Sequence, residues 1–508
     1  MLFTSLVKKL SLHPPAEEDH RNKLLNSAWR SATSSSEDEL VPFVECAAAV
    51  LELIQRHYKG HEIPRILQDL VGRIEGREDC VPDAVVRQFE IIVVGLFSAP
   101  PALISRVLTS DSLLKILDVF KGPKRISVCQ QILHALKNMP RTGDPILIAT
   151  LFEIGRNIHD SIDRLTAEVD VNYSASLISS FVDKIDFGND LEQQLSSYVE
   201  CRAAFTNLDA VKDKLVLCVS GLAMRANALM KGKHSRKTTS FVKACMAFCH
   251  ITIPSISVAL RKFDLTVHCA QVALQCQCLP QTDTLLRATA KLIPEVPTHV
   301  VDSSTGRKKP TSEGLLESIR VLLSFLVTVP GNPEFGPFYI VNMLLRELPR
   351  YEWPAGSTYG PRIMMDILAL MCTYAQETHP YHVPNVEAND VLYSGDGEYR
   401  TELNTRIQQC MSAIESQLAE YELGDSAAQL SQARLVLDLV NQLASRVVLS
   451  DATSNYLVKL MQKANLRKGL FTRADQRYFA VTLAFLRQRA DECGAETLSN
   501  GLGGAAAK

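Results

Sequence analysis

The chain has 508 residues, too many for one ordinary hydrophobic core, so it requires several domains or one long repeat array. Its 46% hydrophobic and 22% charged residues are those of a folded protein. The formal net charge of -2, from 54 Lys and Arg against 56 Asp and Glu, argues against nucleic acid as a partner. Thirteen cysteines, an odd number without framework spacing, suit small buried hydrophobes in a reducing compartment.

The N-terminal MLFTSLVKKLSLHPP places its lysines after a short apolar stretch, the reverse of a signal peptide. Residues 1–40 read as a partly helical or loose segment, ending in the linker-like SATSSSEDE at 31–39. From 41 onward, helical periodicity dominates. VECAAAV is too rich in alanine for a strand. Asp144-Pro145 reads as an N-cap followed by proline at the first helical position, opening ILIATLFEIGRNIHDSI.

GKHSRKT at 232–238 has a superficial likeness to a phosphate loop. A P-loop needs an earlier glycine where Asn227 stands and a strand before it, and His234 follows the lysine. The better reading is a basic inter-helical loop of Lys231, Lys233, Arg236 and Lys237 with His234, either solvated or docking an acidic partner surface. Cys245, Cys249, Cys276 and Cys278, with His268 and Cys269 nearby, lack the paired-knuckle spacing of a zinc site and lie among core residues.

A second linker-like break, VDSSTGRKKPTSEG, occupies 301–314, and the run Val321–Val329 is far short of a bilayer span. In RIMMDILALMCTYAQ, the residues Ile363, Met364, Ile367, Leu368, Met371 and Tyr374 share a helical face. Leu435, Val436, Leu439, Val440, Leu443 and Val447 do the same further on. Between them lies the third break, HPYHVPNVEANDVLYSGDGEYR at 379–400, whose His379 and His382 have no evident third metal ligand. The tail from Gly494 to Lys508 is rich in Gly and Ala and reads as disordered.

These elements sum to roughly 18 to 20 helices in hairpins of about 45 to 55 residues each, near the HEAT period. The expected fold is all-α: a HEAT-like α-solenoid of stacked antiparallel helix pairs over 41–300 and 315–493, with the 301–314 loop between. Two separate helical domains are the alternative. Enzyme signatures fail one after another. His159 beside Asp160 offers a dyad, and Asp163 a partner for Arg164 or Arg156, yet no nucleophile motif accompanies them. No catalytic, cofactor-binding or metal-binding residues are assigned, so a scaffold is favoured over a helical-fold enzyme.

Several strings resemble one family: LLNSAWR (24–30), DPILIATLFEIGRNIHDSIDRLT (144–166), DFGNDLEQQLSSYVE (186–200), YVECRAAFTNLDAV (198–211), MKGKHSRKTTSFVKACMAFCHITIPSI (230–256), QVALQCQCLPQTD (271–283), LIPEVP (292–297) and QETHPYHVPNVEANDVLYSGD (376–396). In this order they resemble the large α-solenoid subunit of the Retriever complex, the vacuolar protein sorting-associated protein 35-like family, a distant relative of the retromer large subunit. The resemblance covers only the C-terminal half of that family, and the Gly/Ala tail departs from it. It implies a scaffold, cytoplasmic and peripheral on endosomes, that recycles cargo to the plasma membrane. Implied partners are a small phosphoesterase-fold subunit, an arrestin-like subunit whose expected binding half is missing here, the CCC (COMMD/coiled-coil) complex, the WASH complex and a sorting nexin adaptor. A generic helical-repeat transport adaptor is the other reading. Lys231, Lys233, Arg236, Lys237, Asn389, Asp390 and Tyr393 are the expected partner-facing residues, the last three in a structured loop at or near the cradle that helices of 312–490 form for the small subunit.

Overall fold

The computed structural model describes every residue except 1, 13–16, 35–39, 59, 76–80, 164, 302–305 and 507–508, and the side chains of 2, 3, 8 and 503–506. Parts of the first two linker-like breaks therefore lie outside the described residues. The chain forms two compact units, Met1–Leu222 and Ala223–Lys508. Their boundary falls inside a helix rather than at the 301–314 break expected to divide the solenoid.

The first unit carries α1 (Leu2–Leu12), α2 (Glu18–Ser34), α3 (Leu40–His57), α4 (Ile63–Ile74), α5 (Asp83–Phe97), α6 (Pro101–Leu108), α7 (Asp111–Val119), α8 (Pro123–Ala135), α9 (Pro145–Asp160), α10 (Glu168–Lys184), α11 (Leu191–Ala204) and most of α12 (Asp209–Leu229). The second carries α13 (Arg236–Thr252), α14 (Ala259–Gln275), α15 (Leu279–Leu292), a hairpin of β1 (His299–Val301) and β2 (Lys308–Pro310), α16 (Ser312–Leu326), α17 (Tyr339–Glu347), α18 (Tyr359–Tyr374), α19 (Asn389–Leu392), α20 (Gly397–Glu422), α21 (Ser426–Arg446), α22 (Asp451–Asn465), α23 (Arg473–Cys493) and α24 (Glu496–Ala506). The count exceeds the 18 to 20 expected partly because α6, α7, α17 and α19 are pieces of 4 to 9 residues, too short for periodicity to resolve. At the 301–314 break, β1 and β2 pair antiparallel with Val300 opposite Lys309, and α16 begins at Ser312.

Many helices pack on neighbours one or two places along the chain. In the first unit, α3 touches α1, α2, α4 and α5, and α8 touches α5, α9 and α10. In the second, α14 touches α13, α15 and α16, and α18 touches α16, α20 and α21. That pattern is a HEAT-like α-solenoid of stacked antiparallel helix pairs. Helix starts are set locally. Asp144 accepts hydrogen bonds from the Ile146 and Leu147 amides with Pro145 behind it, as its sequence indicates. Asp190, Ser235, Asp396, Asp425 and Ser450 cap α11, α13, α20, α21 and α22, and Thr472 with Asp475 forms a full capping box on α23.

Polar side chains tie helices one repeat apart. Trp29 Nε1 donates to Asp69, 40 positions on, and Gln130 donates to Ser174, 44 on. Arg320 donates to Asp366, 46 on, and Arg434 donates two bonds to Asp475, 41 on, at 2.7 and 3.0 Å. Arg434 holds the buried Asp475 carboxyl well below the usual carboxylate range, with Thr472 assisting. The spacing of these bonds measures the repeat that no recurring motif reveals.

The C-terminal tail corrects the expectation of disorder. Residues 496–506 form α24, which packs on α22 and α23 with Leu498 and Leu502 fully buried. Its glycines let the backbone come close: a Cβ on Gly501 would stand 2.5 Å from a methyl of Val458. Composition suggested a disordered tail, but two leucines four apart suffice where a ready apolar surface awaits them. Replacing Leu498 with Ala should therefore destabilise the second unit by about 3 kcal/mol. The chain's two tryptophans fall one in each unit, so urea unfolding followed by Trp353 fluorescence in a Trp29→Phe background reads this unit alone. An unchanged midpoint would show that α24 does not support the core.

Candidate functional site

The basic loop is a tight connection between α12 and α13. Lys231 and Gly232 both take left-handed backbone angles, with φ of 51° and 73°, and the Gly232 amide donates to the Asn227 carbonyl. Asn227, the residue that breaks the phosphate-loop pattern, closes this turn: it contacts His234 Nε2 at 3.0 Å and donates to the Gln275 carbonyl at 3.2 Å. Helix α12 precedes the segment where a P-loop would need a strand. Lys231, Lys233, Arg236 and Lys237 are all exposed. The first three make no ion pair among the described residues.

The 379–396 stretch folds back on this loop, a juxtaposition the sequence did not reveal. Gly232 packs beside Asn385, whose Nδ2 would lie 3.2 Å from a Cβ there, and Gln277 donates to the Gly232 carbonyl at 2.8 Å. Asn385 and Gln277 both have positive φ, so three tight turns converge. The only hint in the sequence was the density of Asn, Gly and Gln in otherwise helical surroundings.

Inside the stretch, polar side chains expected to face a partner face inward. Asn389 is 1% exposed, and its Oδ1 accepts the Gly331 amide at 2.6 Å. The Asp390 side chain is buried too, and its Oδ2 accepts the His379 amide and the His382 Nε2 hydrogen, each at 2.8 Å. Burial pushes the Asp390 carboxyl up, but those two hydrogen bonds and the nearby imidazoles outweigh it and hold it below its ordinary value. Tyr393 is half-buried and stacks on Tyr399 with ring centroids 5.0 Å apart, over Gly331, where any Cβ would collide with the Tyr393 hydroxyl. These three residues shape the loop. Its exposed residues include the large apolar side chains Tyr381, Val391 and Leu392, at 70%, 56% and 45%, together with the polar His382, Asn385, Glu387 and Ser394.

The other constellations have local roles. Burial pushes the Cys245 and Cys276 thiols up to about 12, against the thiolate that a metal needs, and Cys249 shares a hydrogen bond with Cys269. Among the described residues, no group of three His, Cys, Asp or Glu side chains is arranged to hold a metal ion. His159 lies 3.2 Å from Asp160 and edge-on to Phe205. Asp163 does not pair with Arg156, which binds Glu153. It accepts instead from the Leu165 amide and Thr166 hydroxyl, and Arg164 lies outside the described residues. No described helix is long and apolar enough to cross a membrane.

A stack of helix pairs joined by structured loops defines a helical-repeat protein. The chain belongs to the VPS35L C-terminal domain family, whose model matches residues 1–502. It is 33% identical over 498 residues to the human VPS35 endosomal protein-sorting factor-like, covering 97% of this chain and 50% of that protein. The Dictyostelium discoideum VPS35 endosomal protein sorting factor-like is 32% identical, over 91% of this chain and 46% of its own length. The Drosophila melanogaster relative of the same name is 32% identical, over 86% of this chain and 45% of its own length. The chain thus spans about half the length of the curated relatives it matches.

The buried His379 should make the loop sensitive to acid. Burial holds the His379 imidazole below its usual value against the opposing pull of Asp390. Its contribution to stability is complete above the unfolded value of about 6.5 and is lost as pH falls through and below it. The lowered Asp390 adds a further loss only as pH falls below about 3.9. Melting followed by Trp353 fluorescence should fall between pH 7.5 and 5.5, and His379→Phe should flatten that fall. Equal slopes in both proteins would rule His379 out as its source.

Proposed function

We propose that this chain is a scaffold subunit of an endosomal retrieval coat of the Retriever type, acting on the cytosolic face of endosomes to recycle membrane-protein cargo to the plasma membrane. The observation that carries the reading is family membership along nearly the whole chain, with relatives named as endosomal protein-sorting factors. The architecture supports it: stacked helix pairs offer broad surfaces made by successive repeats, the form of a scaffold rather than an enzyme.

On this reading, the helices of 312–490 cradle the small phosphoesterase-fold subunit, and the loop at 379–396 lies at or near that cradle. The CCC complex, the WASH complex and a sorting nexin adaptor are the further partners. The arrestin-like subunit belongs to the half of the relatives that this sequence does not match. The basic loop, with its unpaired lysines at 231 and 233, suits an acidic protein surface.

Purified chain should capture the recombinant small subunit in surface plasmon resonance. Val391→Asp with Leu392→Asp should speed dissociation by about tenfold or more, because changes within one interface fall mainly on the off-rate. Tyr393→Ala should lower the melting temperature as well as weaken binding, since its ring packs the loop. No binding by the unaltered chain would sink the reading, whereas full binding by the double variant would move the interface away from the loop.

A further inference from the structure

A groove in the second unit, lined by none of the loop residues above, combines an apolar floor with an unneutralised cationic rim. It has a volume of about 280 Å³ and is formed by the ends of α13, α14 and α15 and the short turns that follow α13 and α15. Ile253, Leu285 and Leu292 provide the floor. His250, Lys262 and Lys291 stand at the rim, one from each helix, and Glu295 is the single acid among its lining residues. Neither Lys262 nor Lys291 has an ion-pair partner among the described residues. The one hydroxyl lining the groove, Thr266, is spent on the Lys262 carbonyl at 2.7 Å. Recognition of anything polar therefore falls to the cations.

Helix dipoles account for the placement of His250 and Lys291 but not of Lys262. His250 and Lys291 lie in the last turns of α13 and α15, where the negative end of each helix favours a positive charge. Lys262 is the fourth residue of α14, at the positive end of a helix that has no acid in its first turn and no side-chain cap from Val258. A lysine placed against its helix dipole, beside a second lysine and a histidine and over an apolar floor, lacks a reason within the fold. An anionic ligand with an apolar part supplies one.

We propose that this groove docks an acidic peptide segment of a partner protein, one large apolar side chain entering the floor while flanking carboxylates meet Lys262, Lys291 and His250. The volume suits a single side chain such as leucine or phenylalanine, not a cofactor-sized molecule. The contacts to the rim are solvent-exposed, so binding is weak, fast and salt-sensitive.

The test is fluorescence anisotropy of the full chain with a fluorescein-labelled peptide of sequence EDELFDED, against the charge-reversed KRKLFKRK and the anchor-free EDEAADED. The acidic peptide should bind, with affinity falling as salt rises, and each control should bind at least about tenfold more weakly. Lys262→Glu with Lys291→Glu should weaken it about tenfold at an unchanged melting temperature. Lys231→Glu with Lys233→Glu, in the basic loop, should leave it unchanged. Equal loss from both double variants would mean diffuse attraction and overturn the proposal. So would full binding by the groove variant, or sedimentation of the chain with phosphatidylserine vesicles without peptide binding.

Discussion

A helix pair has two broad faces and can cover only one of them by itself. Everything in this molecule follows from the need to cover the other with the next pair along the chain. The bonds from Arg320 to Asp366 and from Arg434 to Asp475 are the polar side of that constraint, each fixing one pair against the next. The apolar side is larger: α18 buries Ile363, Met365, Ile367, Leu368, Leu370 and Met371, more than a single stripe, because neighbours press on it from both sides. Helices so placed have only their remaining flanks and connecting turns free for partners. The features with functional promise accordingly lie at turns and helix ends.

The same constraint decides what could be read from sequence. Local chemistry was legible: Asp144-Pro145 announced a helix start, and the apolar positions of α21 from Leu435 to Leu443 are buried as their spacing indicated. Met364 shows where one-face reasoning ends. It was assigned to the buried face of α18, yet it is half-exposed while Met365 is buried, since a helix held between two layers does not keep its core to one stripe. The repeat was legible as a length but not as a motif. Its recurring element is geometric, a bond between residues 40 to 54 positions apart, made by Trp and Asp in one place and by Ser and Asp in another.

Site residues were less legible, because exposure depends on contacts distant in sequence. Asn389 and Asp390 are polar residues in a loop, which read as partner-facing. Their partners are Gly331, far back in the chain, and a histidine amide folded over them. Val391 and Leu392, the apolar residues beside them, are the exposed ones. Hydrogen bonds hold the loop from within, while Val391 and Leu392 stand exposed on its outside among polar residues such as Glu387. Such an arrangement keeps an irregular connection rigid without a core of its own, as a recognition surface requires.

The distance along the chain between bonded side chains also governs how the protein acquires its structure. Ties of some 40 to 54 residues in a chain of 508 make the mean sequence separation of contacts a small fraction of the length, about a tenth or less. Each newly made pair needs only its immediate predecessor as a template. Ordering therefore spreads along the chain as it emerges during synthesis, without waiting for its far end. A long chain with an exposed growing edge is vulnerable at that edge. Helix α24, with its two buried leucines, covers part of α22 and α23.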